Sequence, residues 1–327
     1  GLYDFELRPA LGSPYAARLI YGVFVIDYPR NLGLLTCDPG VSLSGSVFGP
    51  AGVVAGADID VIDALGHKLF TPGDNTSAAG FFSVIVPAGG TYHVTVDPPT
   101  AYNLAGGKSA NVTAVTAASV GIVTLQTGYA ANVTVLDHLG NPVAGALAKV
   151  RDAVTNEEYV VPGNLADASG VIHAVLPAAN VNITVQAPQG TTSAPFHIGP
   201  TQIAAPFTST IVLPQKSIWT NLSALSVLTI PNGGNLQLGW TIGNTTTQLL
   251  PFTLEAVVPL ASGVEVPWIP AIPLDFPGPF ALLLFVDVPM PPLAVGEMNH
   301  EQKFLIRLRN PANQQILDEA YVRYVPQ

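Results

Sequence analysis

Self-similarity at a fixed offset constrains this 327-residue chain more than any other feature. Val54-Ala-Gly-Ala57 returns as Val143-Ala-Gly-Ala146, 89 positions later. Pro72-Gly73 returns as Pro162-Gly163, and Ser77-Ala-Ala-Gly80 as Asp167-Ala-Ser-Gly170, both at an offset of 90. His93-Val-Thr-Val96 matches Asn182-Ile-Thr-Val185, and Ile122-Val123 matches Ile211-Val212, again at 89. Five landmarks in one order, with a single-residue slip, describe two copies of one module, residues 41–126 and 128–214.

Each copy reads as short strands between turns. Leu43-Ser-Gly-Ser-Val47 and Ala131-Asn-Val-Thr-Val135 alternate or carry β-branched residues, the pattern of half-buried strands. Phe82, Val84 and Val86 share one side of a strand, with Ser83 and Ile85 on the other. His138-Leu-Gly-Asn-Pro142 is a turn cluster, since Gly supplies a left-handed position and Pro presets φ. No stretch shows a sustained 3.6-residue apolar period between helix caps. The expected fold is all-β, a tandem of Greek-key β-sandwiches whose cores come from alternating positions on two sheets.

The order Val-x-Gly, turn, Pro-Val-Ala-Gly-Ala, Ala-x-Gly, strand, Pro and x-Val-Thr-Val resembles carboxypeptidase-regulatory-like modules, which are transthyretin-like, prealbumin-type sandwiches. Residues 128–186 carry it best and 41–97 follow the same scheme. The resemblance implies a spacer, assembly or carbohydrate-binding role rather than catalysis. Related collagen-adhesin B modules form a crosslink from a first-strand Lys. Neither Leu43–Val47 nor Ala131–Val135 holds one, so no such bond is carried over.

Residues 216–327 read as a third β unit. Leu236, Leu238 and Trp240 alternate to one side, and Phe304, Ile306 and Leu308 share a face opposite charged neighbours. Its Trp strand, Asn-Thr-Thr turn, Pro-terminated strand and Gly296-Glu297 turn are similar to bacterial surface immunoglobulin-like domains. Prolines crowd between Val266 and Leu293, among them Pro267, Pro270, Pro273, Pro277 and Pro279, and predict an extended apolar loop covering the core or docking a subunit. Residues 1–40 are too few for a domain. Their segment Arg18 to Asp27 is apolar on both faces, so it must pair with something, within the chain or by strand addition to a neighbour. Leu19, Ile20, Tyr21, Val23, Phe24, Val25 and Ile26 are therefore candidate subunit-interface residues, and the segment is a candidate donor strand.

Charge then narrows the partners. Charged residues make up 10% of the chain, against roughly 25% in an ordinary soluble domain. Such a surface is either coated by Thr, Ala and Gly or buried against other chains. Twelve basic residues and a net charge of −10 argue against nucleic acid. The longest apolar run, Phe280 to Val286, is too short for a membrane-spanning helix. Six Asn-X-Ser/Thr sequons, at Asn75, Asn111, Asn132, Asn182, Asn221 and Asn244, exceed the roughly two expected by chance; they hint at a secreted, glycosylated chain, while Thr-rich strands also spell Asn-Val-Thr-Val by β propensity alone. The start Gly1-Leu-Tyr-Asp-Phe lacks a basic or strongly apolar leader, which fits either a cytosolic chain or a processed one.

Catalytic and metal-binding patterns are missing from the sequence. The six histidines are each more than ten residues apart, and Cys37 is alone. No Gly-x-Ser-x-Gly elbow, Walker loop or dinucleotide fingerprint occurs. Asp58 and Asp60 would share a strand face, which reads as solvated rather than cation-binding. No enzyme activity, cofactor or metal is expected. The leading expectation is a structural, extracellular or cell-surface protein, a string of sandwiches that polymerises with itself. The competing reading is an adhesin stalk or carbohydrate-binding module, with Trp219, Trp240 or Trp268 stacking on surface glycans. An accessory fragment of a secreted hydrolase and a viral decoration protein also fit.

Overall fold

The computed structural model of the chain describes residues 2–10, 12–24, 34–224, 229–260, 265–293, 302–313 and 316–326. It is an all-β molecule, in which the one helical segment among the described residues is a 3-10 turn at Thr100–Tyr102. The N-terminal strands β1 (Leu2–Leu7) and β2 (Arg18–Phe24) form an antiparallel two-stranded sheet. The first module then runs β3 (Gly40–Gly49), β4 (Gly52–Val53), β5 (Asp58–Asp63), β6 (Phe81–Pro87), β7 (Gly90–Asp97), β8 (Gly107–Lys108), β9 (Val112–Ala114) and β10 (Ala118–Thr124). The second contains β11 (Gly128–Leu136), β12 (Leu147–Asp152), β13 (Val171–Pro177), β14 (Asn180–Gln186), β15 (Phe196–Gln202) and β16 (Phe207–Val212).

The two modules share one topology. In each, the first strand is central, antiparallel to one neighbour and parallel to the last strand: β6–β3–β10 in one, β13–β11–β16 in the other. The opposite sheet centres on β7, between β5 and the short β8 and β9, or on β14, between β12 and β15. Alternating residues from the facing sheets make the cores. Leu43, Val47, Ile59, Val61, Phe82, Val84 and Val94 fill the first, and Val135, Val150, Ile172, Ala174, Val181 and Val185 the second.

The repeat extends to individual hydrogen bonds. Ser77 and Asp167 open the same turn. The Ser77 hydroxyl accepts from the Phe81 N–H, and the Asp167 carboxylate from the N–H groups of Ser169 and Val171. The turn closes on Gly80 (φ +71°) or Gly170 (φ +76°), whose carbonyl accepts from Val47 N–H or Val135 N–H at 2.8 Å. A Cβ on either glycine would lie 2.8 Å from the Val47 or Val135 carbonyl oxygen. These positions are therefore glycine for two reasons at once, left-handed φ and close backbone approach.

The third unit consists of β17 (Ile218–Ala224), β18 (Thr229–Ile230), β19 (Asn235–Asn244), β20 (Leu250–Pro259), β21 (Glu265–Phe276), β22 (Phe280–Pro289), β23 (Gln302–Arg309) and β24 (Ile316–Pro326). One sheet runs β17–β19–β22, and the other β18–β24–β23–β20–β21. Leu236, Leu238, Phe252, Ala256, Phe304, Leu308 and Tyr324 pack between them. The proline-rich segment is thus not the loop its composition predicts, since Glu265–Phe276 and Phe280–Pro289 are both strands. β21 is an edge strand, where a missing N–H can face the open side, and Pro270 falls at a register shift opposite β20. β22 contains no proline between Phe280 and Val288.

The units also do not form a simple string. The His67 and Gln302 side chains, from the first and third units, meet at 3.4 Å in a buried contact, and Arg8 of the N-terminal segment sits over the Phe70 ring. β2 lies beside β18 and β24. Because Gly80 and Gly170 occupy one environment twice, Gly80→Ala and Gly170→Ala are expected to cost a similar about 2–4 kcal/mol each. Denaturant unfolding of the two variants checks this, with markedly unequal losses arguing against equivalent turns.

Candidate assembly surface

Among the described residues, the third unit has one closed and one open long side. On the closed side β17 lies against β24, and the Thr220 N–H donates to Asp318 Oδ2 at 2.7 Å. Lys216 Nζ pairs with Asp318 Oδ1 at 2.8 Å and donates to the Thr191 carbonyl of the second module at 3.1 Å. Burial pushes the Asp318 carboxyl up, against the pull of Lys216. Gln189 completes this junction. Its amide donates to the carbonyls of Leu222 and Tyr321 and to Asn221 Oδ1, and its oxygen accepts from Tyr321 N–H. One side chain thereby ties the second module to both sheets of the third.

On the open side, β21 and β22 end their respective sheets and are joined through Pro277-Gly278-Pro279. Phe276 and Phe280 flank that link with ring centroids 6.0 Å apart. Ile272, Leu274, Phe280, Leu283 and Phe285 are exposed along this side, Phe285 to 71%. Leu282 and Val286 face the core yet are only half-buried, because no strand lies beyond β22 among the described residues. The sequence allows this segment a subunit-docking role but suggests a loop, where the structure has strands; the uninterrupted Phe-Ala-Leu-Leu-Leu-Phe-Val run is the local signal for β22.

The outer face of the five-stranded sheet is different. Arg307 on β23 pairs with Glu319 on β24, Glu255 on β20 and Glu265 on β21, the last at 2.9 Å. Arg307 holds the Glu265 carboxyl below its ordinary range. Charge is thus concentrated on one sheet face, away from the β22 edge.

Of the sequence-predicted interface residues, Leu19 and Ile20 lie in β2, whose ladder partner is β1 of the same chain: Leu19 opposes Glu6, and Ile20 opposes Phe5. Ile20 is buried. The backbone of Tyr21, Val23 and Phe24 continues β2, while Val25 and Ile26 lie outside the described residues. Their ladder to β1 leaves the outer edge of β2 without a strand partner among the described residues.

The sequons divide by exposure. Asn75, Asn111 and Asn132 are exposed, and Asn182 is half-buried. Asn221 is half-buried against Gln189. Asn244 must be withdrawn as a glycan acceptor in the folded chain. It is buried, its amide donates to the Gln248 and Phe276 carbonyls, and its oxygen accepts from Thr246 N–H. Asn-Thr-Thr here is turn chemistry that happens to spell a sequon.

The tryptophans are dispersed. Trp219 lies over Gly243, where an added Cβ would fall 2.3 Å from the indole nitrogen. Trp240 packs against the core and donates to Thr220 Oγ1 at 2.8 Å. Trp268 meets Phe304 edge-on at 5.9 Å. All three are half-buried, and they form no shared exposed platform.

Among the described residues, no three His, Cys, Asp or Glu side chains gather in a metal-binding arrangement. Asp97 lies directly opposite Asp58 across β5 and β7. Its Oδ1 is buried without a hydrogen-bond partner. Desolvation, then the charges of Asp58 and Asp60, push Asp97 up to about 6 from 3.8. Asp60 is itself paired with Lys68.

No family model and no curated protein matches this chain. Among solved structures, the Bacillus anthracis TIE protein aligns with 88% of this chain and 48% of its own length, at 15% identity and TM-score 0.23. The shaft pilin SpaA from Lactobacillus rhamnosus GG aligns with 54% of this chain and 98% of its own, at 12% identity and TM-score 0.24. BcpA, the major pilin subunit of Bacillus cereus, aligns with 61% and 69%, at 14% identity and TM-score 0.23. This chain therefore spans about half the length of the TIE protein. At such TM-scores these likenesses carry no argument, and the sandwich architecture rests on this chain's own sheets.

Two measurements follow from the site. A carboxyl whose folded pKa exceeds its unfolded value binds its proton more readily in the native state. Asp97's own contribution to stability should therefore rise as pH falls from about 6 toward 3.8, by the order of 2 kcal/mol, while carboxyls held low, such as Asp152, contribute with the opposite sign at lower pH. The stability difference between the wild type and Asp97→Asn isolates this contribution: it should shift in favour of the wild type as pH falls through that window, and a difference that does not change with pH would disprove the assignment. Lys216→Met should cost about 3–5 kcal/mol by stranding buried Asp318, and Lys216→Met with Asp318→Leu should recover most of it. Equal losses in the single and double variants would show that the pair is not coupled.

Proposed function

We propose that this chain is a structural subunit of an extracellular filament, sheath or surface layer, assembling with copies of itself through β-strand addition and apolar interfaces. The observation that carries the reading is the exposed apolar side of the third unit along β21 and β22. Apolar surface of that kind favours burial against another chain. The two-stranded N-terminal sheet offers a second site for strand addition. The Gln189 and Lys216 contacts fix the second and third units relative to each other, which suits a subunit that transmits a defined geometry.

The carboxypeptidase-regulatory-like pattern of the repeat supports a spacer or assembly role over a catalytic one. Placement at the cell surface is part of the same proposal, with Asn75, Asn111 and Asn132 as the accessible glycan acceptors. The carbohydrate-binding alternative has less support, since Trp240 and Trp268 pack onto the core.

Electron microscopy of the purified full chain over a range of concentrations tests the proposal. Regular filaments or sheets are the expected outcome. Dispersed monomers at every concentration, confirmed by sedimentation, would reject it.

A further inference from the structure

Among the edge strands of the third unit, β21 and β22 differ in what they present. β21 carries Pro267, Pro270 and Pro273, none of which has a backbone N–H to donate to a ladder. Such an edge is guarded against strand addition. β22 has an unbroken set of N–H donors from Phe280 to Val288, and Asp287 is its one charged residue. Protective devices found on natural edges, such as lysine, internal proline or extreme shortness, are all missing from these ten residues.

We infer that the β22 edge is an interface for β22 of a second copy of this chain, paired antiparallel about a two-fold axis near Leu283. This rests on the self-assembly reading above and names the surface that serves it. Two facts select a second copy as the occupant. The first is self-complementary register. With Leu283 opposite its own copy, Ala281 faces Phe285 of the second chain, Leu282 faces Leu284, and Phe280 faces Val286. Pairs on the outer face and pairs on the core side stay in their own layers, as strand pleating requires. The second is charge. Asp287 falls opposite Pro279, and at ~3.4 Å per residue the two Asp287 carboxylates stand about 27 Å apart, beyond effective repulsion.

The result is one sheet in the order β17–β19–β22–β22–β19–β17 across two molecules. Leu283 and Phe285, 53% and 71% exposed in the single chain, become cross-strand neighbours of apolar residues. Leu282 and Val286, half-buried at the sandwich margin, gain cover beyond that of the described residues. A two-fold contact is closed, so a filament would alternate it with a second contact elsewhere.

Disulfide trapping in the full chain tests the register. In a Cys37→Ser background, Leu283→Cys is expected to give a covalent dimer in most of the protein on mild oxidation. Leu274→Cys, on the proline-guarded strand, should give at least tenfold less. Leu283→Lys with Phe285→Lys changes only exposed side chains, so the fold should persist by circular dichroism while dimer dissociation rises at least tenfold. Equal trapping at positions 283 and 274, or association unaffected by the lysines, would overturn the inference. So would cross-linking of position 283 to the N-terminal hairpin of another copy, which would make β22 an acceptor for that segment instead. Dimers that grow no further would refute the filament reading but leave this interface standing, whereas filaments that persist in the double-lysine variant would do the reverse.

Discussion

Backbone hydrogen bonding at strand edges is the constraint on which this molecule turns. An all-β chain must account for every ladder that ends, and with 10% charged residues this one has few side chains to spend on guarding them. Several solutions appear along the chain. β17 is held against β24 by the Thr220–Asp318 bond. β21 is interrupted by prolines. β22 shows neither device and adds exposed Leu283 and Phe285. The self-assembly account follows from that difference.

The same economy shapes the interior. The first two units use one design twice, with Gly80 and Gly170 each pressed against a first-strand carbonyl and each closing a turn opened by a polar acceptor. Between the second and third units the design changes from apolar packing to specific polar contacts. Gln189 uses both ends of its amide at the junction, and Lys216 divides its donors between the Thr191 carbonyl and the Asp318 carboxylate. Satisfied polar contacts of that kind fix orientation more than they add stability, because the net gain of each is small while the penalty for breaking it is large.

How much of this could be read from the sequence depended on how local the cause was. The all-β architecture and the alternation of Leu236, Leu238 and Trp240 follow from periodicity, which neighbouring residues determine. The repeat was legible because left-handed glycines and turn acceptors must recur where the backbone does. The segment from Glu265 to Pro289 was misread, because proline excludes a central strand but tolerates an edge, and edge position is a property of the sheet rather than of the segment. Asn244 matched a sequon for the same reason: its burial is decided by Phe276, 32 residues away. The His67–Gln302 contact, 235 residues apart, and the Asp58–Asp97 pair depend on topology that no local pattern encodes.

The central claim is that β22 gains a ladder partner when copies of the chain meet. Amide hydrogen exchange over Phe280–Val288, followed by mass spectrometry at low and high protein concentration, addresses it most directly. Exchange there should slow at least tenfold at the higher concentration, while β19, already paired on both sides, should change little. Identical exchange in β22 at both concentrations would contradict the account.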